Sequence, residues 1–286
     1  MAEQERPPEN APVVVAFVDD LMFQVKIGKV VEGLGYRLQM MGNASAVGPA
    51  GAEGDYRPGE PLSGRAGELF RQLTAWQPAL LIFDLHNEAI PWRRWLPALK
   101  SSPATRRVPI LAYGSHVAED TLAEARKLGA DEVVPRSRFN SALPQLVERH
   151  ARRPDREGVA AACAEPLAEK ARTGIEMFND GHYYKCHDYL EEAWMEDEGP
   201  GRDLYRGILQ VGIAYFQIER DNYRGALKML LRVRQWLDPL PDLCRGVNVA
   251  RLREDVANVH EAVTLAGAEG LAELDRALFR EIELVE

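Results

Sequence analysis

Five short apolar runs, each followed by a helical pattern, occupy the first half of this chain and then stop. They are VVVAFV (13–18), RLQMM (37–41), ALLIFDL (79–85), VPILAY (108–113) and DEVVP (131–135). Most are apolar at consecutive rather than alternating positions, so both faces of each strand need cover. Strands covered on both faces by helices that alternate with them along the chain make a doubly wound parallel sheet. The expectation is a five-stranded parallel α/β domain over 12–150, preceded by a disordered tail at 1–11. After the second run, GNASAVGPAGAEGDYRPGEPLSGRAG is dense in Gly and Pro and reads as a flexible insertion over about 43–66.

The second half carries no strand pattern. ARRPDREGVAAACAEP (151–166) is charged, then Ala-rich, with a proline near each end, and reads as a linker. Helical periodicity then covers roughly 167–179, 182–197, 201–220, 222–237 and 249–266, with a short tail helix after Gly270. This makes 167–286 an all-α bundle, and a chain of 286 residues that is 46% hydrophobic can fill two such cores. A faint repeat at an offset of 40 sets Tyr183 over Tyr223, Cys186 over Ala226 and Leu190 over Leu230, as in stacked helical hairpins.

A net charge of −9 argues against a whole-chain grip on nucleic acid or anionic membrane. No helix-turn-helix pattern follows the α/β half, so DNA binding is not expected. MAEQERPPEN lacks the basic-then-apolar order of a signal peptide, and the longest apolar runs are too short for a membrane span. Cys163, Cys186 and Cys244 are odd in number, far apart and without CxxC spacing, so they read as reduced thiols of a cytoplasmic protein.

In a doubly wound sheet, ligands bind beyond the carboxyl ends of the strands. Asp19 and Asp20 follow the first run and Asp84 closes the third, so three carboxylates converge on one sheet edge. Such a set suits magnesium, and one member can accept a phosphoryl group as an acyl phosphate. AFVDD, the FD at Asp84, VPILAYGS and GADEVVPRSRF together resemble a response-regulator receiver domain, whose fold is flavodoxin-like. The resemblance implies Asp84 as phospho-acceptor and Asp19, Asp20 and Asp84 as magnesium ligands. The family's Ser or Thr after the fourth strand falls on Gly114, with Ser115 next. Its lysine falls on Arg136, and the proline after that on Ser137. Arginine keeps the charge but not the compact ammonium. These departures describe a degenerate receiver, in which magnesium binding is easier to keep than phosphorylation.

Read as one helix, GHYYKCHDYLEEAW puts Tyr183, His187, Leu190, Glu191 and Trp194 on a single stripe. His187 and Glu191 are one turn apart, whereas His182 lies about 140° around the helix from His187. Gln210 on the next helix is the nearest polar partner. His187, Asp188, Glu191, Trp194 and Gln210 therefore read as a polar cluster clasping two helices, with a ligand pocket, a metal site or a catalytic site as the alternatives. FNDGHYYKCHDYLEEAW, YRGILQVGIAYFQ and DNYRGALKMLL resemble a bacterial and archaeal helical family known as domain of unknown function number 309. The shared pattern is Asn179, Gly181, Tyr183 or Tyr184, His187, Asp188, Glu191 and Trp194, then Gly207, Gln210, Gly225 and Ala226. That family implies a helical bundle and supplies no activity. Arg220, Arg224, Lys228 and Arg232 recur every four residues as a basic ridge, read as a solvated face with Asp238 available to Arg232.

No nucleophile with a partner is visible, so the reading is of a regulatory or adaptor protein rather than an enzyme. A degenerate receiver-like domain would be coupled to a helical module that binds a protein partner. The alternative is a small-ligand or metal-binding protein, or an enzyme, with its pocket at His187, Glu191, Gln210 and Trp194.

Overall fold

The computed structural model describes residues 7–8, 11–47, 64–102, 104–153 and 155–285. Most of the expected N-terminal tail, and the larger part of the expected insertion, lie outside them. The chain divides into two compact units, Met1–Pro154 and Asp155–Glu286.

In the first unit β1 (Val13–Phe17), β2 (Arg37–Met40), β3 (Leu80–Asp84), β4 (Ile110–Gly114) and β5 (Glu132–Pro135) form one sheet. All pairings are parallel, in the order β2-β1-β3-β4-β5. This is the flavodoxin-like doubly wound order, with its switch point between β1 and β3. The helices are α1 (Leu21–Gly33), α2 (Gly64–Trp76), α3 (Trp92–Ser101), α4 (Glu119–Lys127) and α5 (Arg136–His150). Because side chains alternate along a strand, each strand feeds two cores. Val15, Phe17, Phe83 and Ala112 pack with Leu69, Trp95 and Leu122 of α2, α3 and α4. Val14, Ala16, Ile82 and Tyr113 pack on the other face with Ile27 of α1 and Phe139 and Val147 of α5.

The second unit contains α6 (Arg156–Cys163), α7 (Glu169–Asn179), α8 (Cys186–Glu196), α9 (Asp203–Glu219), α10 (Tyr223–Leu237) and α11 (Val249–Ala266). Consecutive helices from α7 to α11 pack on one another. The repeat pairs Cys186 with Ala226 and Leu190 with Leu230, and all four are buried. No helix among the described residues is long and apolar enough to cross a membrane.

Four expectations for this half are corrected. The linker contains α6, whose Ala-rich sequence favours a helix and whose Asp155 caps it at the Gly158 amide. Helix α8 starts at Cys186, not near His182, because Gly181 turns the chain at φ +80° and Tyr183 is drawn into an aromatic cluster with Phe178, Tyr215 and Phe279. A hairpin of β6 (Leu243–Cys244) and β7 (Val247–Asn248) appears where no strand was expected. Two-residue strands are too short to show a period, and the turn between them puts Arg245 (φ +53°) and Gly246 (φ +78°) in the left-handed region that suits a tight hairpin. The tail after Gly270 forms two 3-10 turns, Leu271–Glu273 and Arg276–Leu278, rather than a helix.

The cysteines are corrected too. Cys163 and Cys244 are joined in a disulfide, and Cys186 is a buried thiol. Their separation of 81 residues hid a pairing that the hairpin creates by folding back onto the end of α6.

Glycines let the helices approach closely. A Cβ at Gly207 would lie 2.3 Å from Leu237 Cδ2, and one at Gly212 would lie 2.8 Å from Cys186 Sγ and 3.0 Å from the Tyr183 carbonyl oxygen. Leu237 is itself buried and has nowhere to swing. Gly207→Ala is expected to lower the unfolding free energy by about 1–3 kcal/mol through overpacking of α9 on α10, read as a lower urea midpoint.

Candidate functional site

The β1/β3 switch point holds the acidic residues singled out in the sequence, but it does not gather them. Asp20 is the N-cap of α1, where one carboxylate oxygen accepts from the Met22 and Phe23 amides at 2.9 and 3.2 Å. Its other oxygen pairs with the Arg136 guanidinium, which also lies 4.4 Å from the centre of the Phe23 ring. Asp19 beside it is exposed.

Asp84 is 4% exposed. The register of β3 and β4 sets it directly across from Tyr113, whose hydroxyl donates to Oδ2 at 3.1 Å. Oδ1 accepts the His86 amide at 3.0 Å, and the His86 ring nitrogen stands 3.6 Å away. The Tyr113 ring is held by stacking on Phe139 at 3.9 Å and Phe23 at 5.3 Å. Burial first, and then the negative charge of Asp84, push the Tyr113 hydroxyl far above its ordinary value of 10, so it remains a donor.

The positions where the receiver pattern breaks are filled by packing. A Cβ at Gly114 would lie 3.1 Å from Leu122 Cδ2 and 3.4 Å from Leu85 Cδ1, so leucines close in where the family carries a hydroxyl. The Ser115 hydroxyl accepts from the Val117 amide at 3.3 Å and caps its own loop. Among the described residues there is no group of three or more His, Cys, Asp or Glu side chains that could hold a metal ion. Asp20 is committed to Arg136 and Asp84 to Tyr113, so Asp19, Asp20 and Asp84 as arranged do not fit magnesium. Tyr113 and His86 were not singled out from the sequence. The available signal was a tyrosine directly before Gly114, on the strand that must neighbour β3.

In the helical unit the expected clasp is dispersed. His187 Nδ1 is 3.4 Å from Asp188 Oδ1 and 3.9 Å from Glu191 Oε2, all at the surface. Gln210 is 5% exposed, and neither its Oε1 nor the Trp194 indole N–H has a hydrogen-bond partner among the described residues. No hydrogen bond joins Gln210 to His187 or Glu191. Beside the apolar core that α8, α9 and α10 share, Arg206 bridges the same three helices, its guanidinium 4.4 Å from the Trp194 ring centre and 4.2 Å from that of Trp236. Each such contact is worth roughly 0.5–2 kcal/mol, more than the exposed His187 pair provides. On the basic ridge Arg220, Arg224 and Lys228 are exposed, and Asp238 pairs with Arg234.

Two outcomes are expected at the sheet edge. Tyr113→Phe leaves a buried carboxylate oxygen without its donor and lowers the unfolding free energy by about 1–3 kcal/mol, a loss that a double-mutant cycle with Asp84→Ala removes. The Phe23 amide, then Arg136 and the Met22 amide, hold Asp20 below its ordinary value of 3.8. Its contribution to stability is therefore present above 3.8 and lost as pH falls through the lower folded-state value. An NMR titration should place the Asp20 midpoint below 3.8 and show it rising in Arg136→Gln.

An uncharacterized protein of Bacillus subtilis, YpuF, is 29% identical over 99 residues, covering 33% of this chain and 56% of that one. An uncharacterized protein of Aquifex aeolicus is 25% identical over 87 residues, covering 30% and 26%. The chain thus spans less than two thirds of either relative. Among solved structures, chemotaxis response regulator CheY4 of Vibrio cholerae matches at 12% identity and a TM-score of 0.37, over 49% of this chain and 98% of that one. The signal receiver domain of a histidine kinase from Syntrophus aciditrophicus matches at 18% identity and a TM-score of 0.38, over 55% and 99%. Residues 171–229, from α7 into α10, match the DUF309 family, a domain of unknown function.

Proposed function

We propose that this chain is a cytosolic regulatory adaptor of signal transduction. Its receiver-like unit works without phosphorylation, and its helical unit binds a protein partner. The observation that carries the reading is the Tyr113 hydroxyl on Asp84. Acyl phosphate chemistry at Asp84 needs an open carboxylate oxygen, a divalent cation beside it and a free cationic side chain for the phosphate. Here both Asp84 oxygens are engaged within the protein, and the cation Arg136 is spent on Asp20. An acid site closed in this way suits a docking platform rather than a switch.

A partner surface is supported by exposed apolar side chains. At the start of α1 Leu21, Met22 and Val25 are 75%, 84% and 60% exposed, while Tyr184, just before α8, and Met195 in its last turn are each 60% exposed. Large apolar groups clustered in water mark interaction sites more often than single ones do.

Incubation with acetyl phosphate and magnesium, followed by intact-mass measurement, is expected to give no adduct. An adduct that disappears in Asp84→Ala would defeat the phosphorylation-independent reading. Proteins that co-purify with the intact chain should be lost from Met195→Glu or from a Met22→Glu, Val25→Glu double variant; an unchanged set from both would defeat the adaptor reading.

A further inference from the structure

The segment 279–283 builds one wall of a cleft of about 510 Å³ whose other wall is α11. Asn179 grips this segment at Ile282 from both directions: its Oδ1 accepts from the Ile282 amide at 2.8 Å, and its Nδ2 donates to the Ile282 carbonyl at 3.1 Å. Beyond Ile282 the Asn248 amide donates to the Glu283 carbonyl at 3.0 Å and the Val285 amide to the Gly246 carbonyl at 2.7 Å, which joins the segment to the β6–β7 hairpin. Ahead of it the Phe279 ring stacks on Tyr215 at 4.1 Å. Arg280 and Glu281 therefore stand on backbone that is pinned on both sides.

On the helix side Arg251 and Asp255 are one turn apart, and both line the cleft. Asp255 is 6% exposed, and its Oδ2 accepts from Arg251 Nε at 3.3 Å. That is longer than the about 2.7–2.9 Å of a good charge-assisted bond. Its Oδ1 has no hydrogen-bond partner among the described residues. Burial first, and then the Asp255 charge, push the Tyr215 hydroxyl above its ordinary value of 10, which sets this carboxylate close to the Tyr215–Phe279 pair. A buried carboxylate held by one long bond lacks the donors that its charge calls for. On the tail side Arg280 and Glu281 are exposed and neither side chain is paired among the described residues, whereas Glu283 accepts from Asn248 at 3.0 Å.

We propose that the cleft between α11 and the segment 279–283 is a binding site for a free α-amino acid, whose ammonium donates to Asp255 and whose carboxylate meets Arg280. The charges of the walls select this class. Arg251 and Arg280 oppose a simple cation, while Asp255, Glu281 and Glu283 oppose a simple anion. A metal ion does not suit the site, since no group of three or more His, Cys, Asp or Glu among the described residues could hold one. A ligand that carries both charges on one carbon satisfies both walls at once. Phe279 supplies the apolar part of the lining for a side chain, and the volume falls within the roughly 300–1,000 Å³ of small-molecule sites. Because the segment is already held by Asn179, the hairpin and Tyr215, little ordering remains to oppose binding. The site is separate from the exposed apolar groups that serve a protein partner, and it gives the helical unit a small-molecule input.

The test uses the intact chain labelled with nitrogen-15, to which each of the common L-α-amino acids is added in turn at millimolar concentration. At least one should move the amide resonances of Ala277, Arg280 and Glu281 in a saturable way. For the tightest of them, the N-acetyl derivative, which lacks the ammonium, and the carboxamide, which lacks the carboxylate, should each bind about tenfold more weakly or worse. Arg280 is exposed, so Arg280→Gln tests the carboxylate end without disturbing the core, and it should weaken the amino acid but not its carboxamide. In Asp255→Asn the amino acid and its N-acetyl derivative should bind alike. If Asp255→Asn does not fold, the Arg280→Gln comparison decides alone. The proposal is overturned if no amino acid moves these three resonances, if either derivative binds as tightly as its parent, or if Arg280→Gln leaves the parent's affinity unchanged.

Discussion

The parallel register of β3 and β4 puts Asp84 directly beside Tyr113, and the chemistry of the sheet edge depends on that pairing. A strand-end carboxylate ordinarily faces water; here it faces a phenol hydroxyl. The phenol ring is part of a stack with Phe23 of α1 and Phe139 of α5, so the same side chain that closes the site also packs both helices onto the sheet. Arg136 lies on Phe23 and reaches Asp20, which in turn starts α1. Opening Asp84 to solvent therefore means disturbing the core of that face, and a buried charge left without its donor makes the disturbance costly.

The helical unit depends on close approach rather than on a polar clasp. Gly207 and Gly212 remove the side chains that would keep α9 away from α10 and from the start of α8. Arg206 then fills the space between two indoles, one from each neighbour of α9. A planar cation between two aromatic faces fixes spacing and orientation together, which a flexible surface pair such as His187 and Glu191 does not.

Much of this was legible in the sequence, for identifiable reasons. The strands of the α/β unit are apolar on consecutive residues and each precedes a helix, so sheet type and helix alternation followed from local pattern. Asp84 at a strand end was equally visible. Its partner was not, because Tyr113 meets Asp84 only through strand register, a non-local property. The start of α8 was misplaced because Tyr183 carries the right period for a helix while its ring answers to Phe178, Tyr215 and Phe279 elsewhere in the unit. The disulfide and the β6–β7 hairpin were missed together, since each strand is two residues long and the cysteines meet only once the hairpin has folded. Gln210 is buried, but its expected partners on α8 stay at the surface.

The arrangement around Arg206 also makes the helical unit optically separable. Of the five tryptophans, Trp76, Trp92 and Trp95 belong to the α/β unit, and only Trp194 and Trp236 belong to the helical one. Both of these rest on one guanidinium, and the three residues come from α8, α9 and α10. In a chain whose three α/β tryptophans are replaced by phenylalanine, the remaining emission would come from the helical unit alone and respond to the spacing of those three helices. An event elsewhere that shifts this emission would reveal mechanical coupling into the bundle without any label being added.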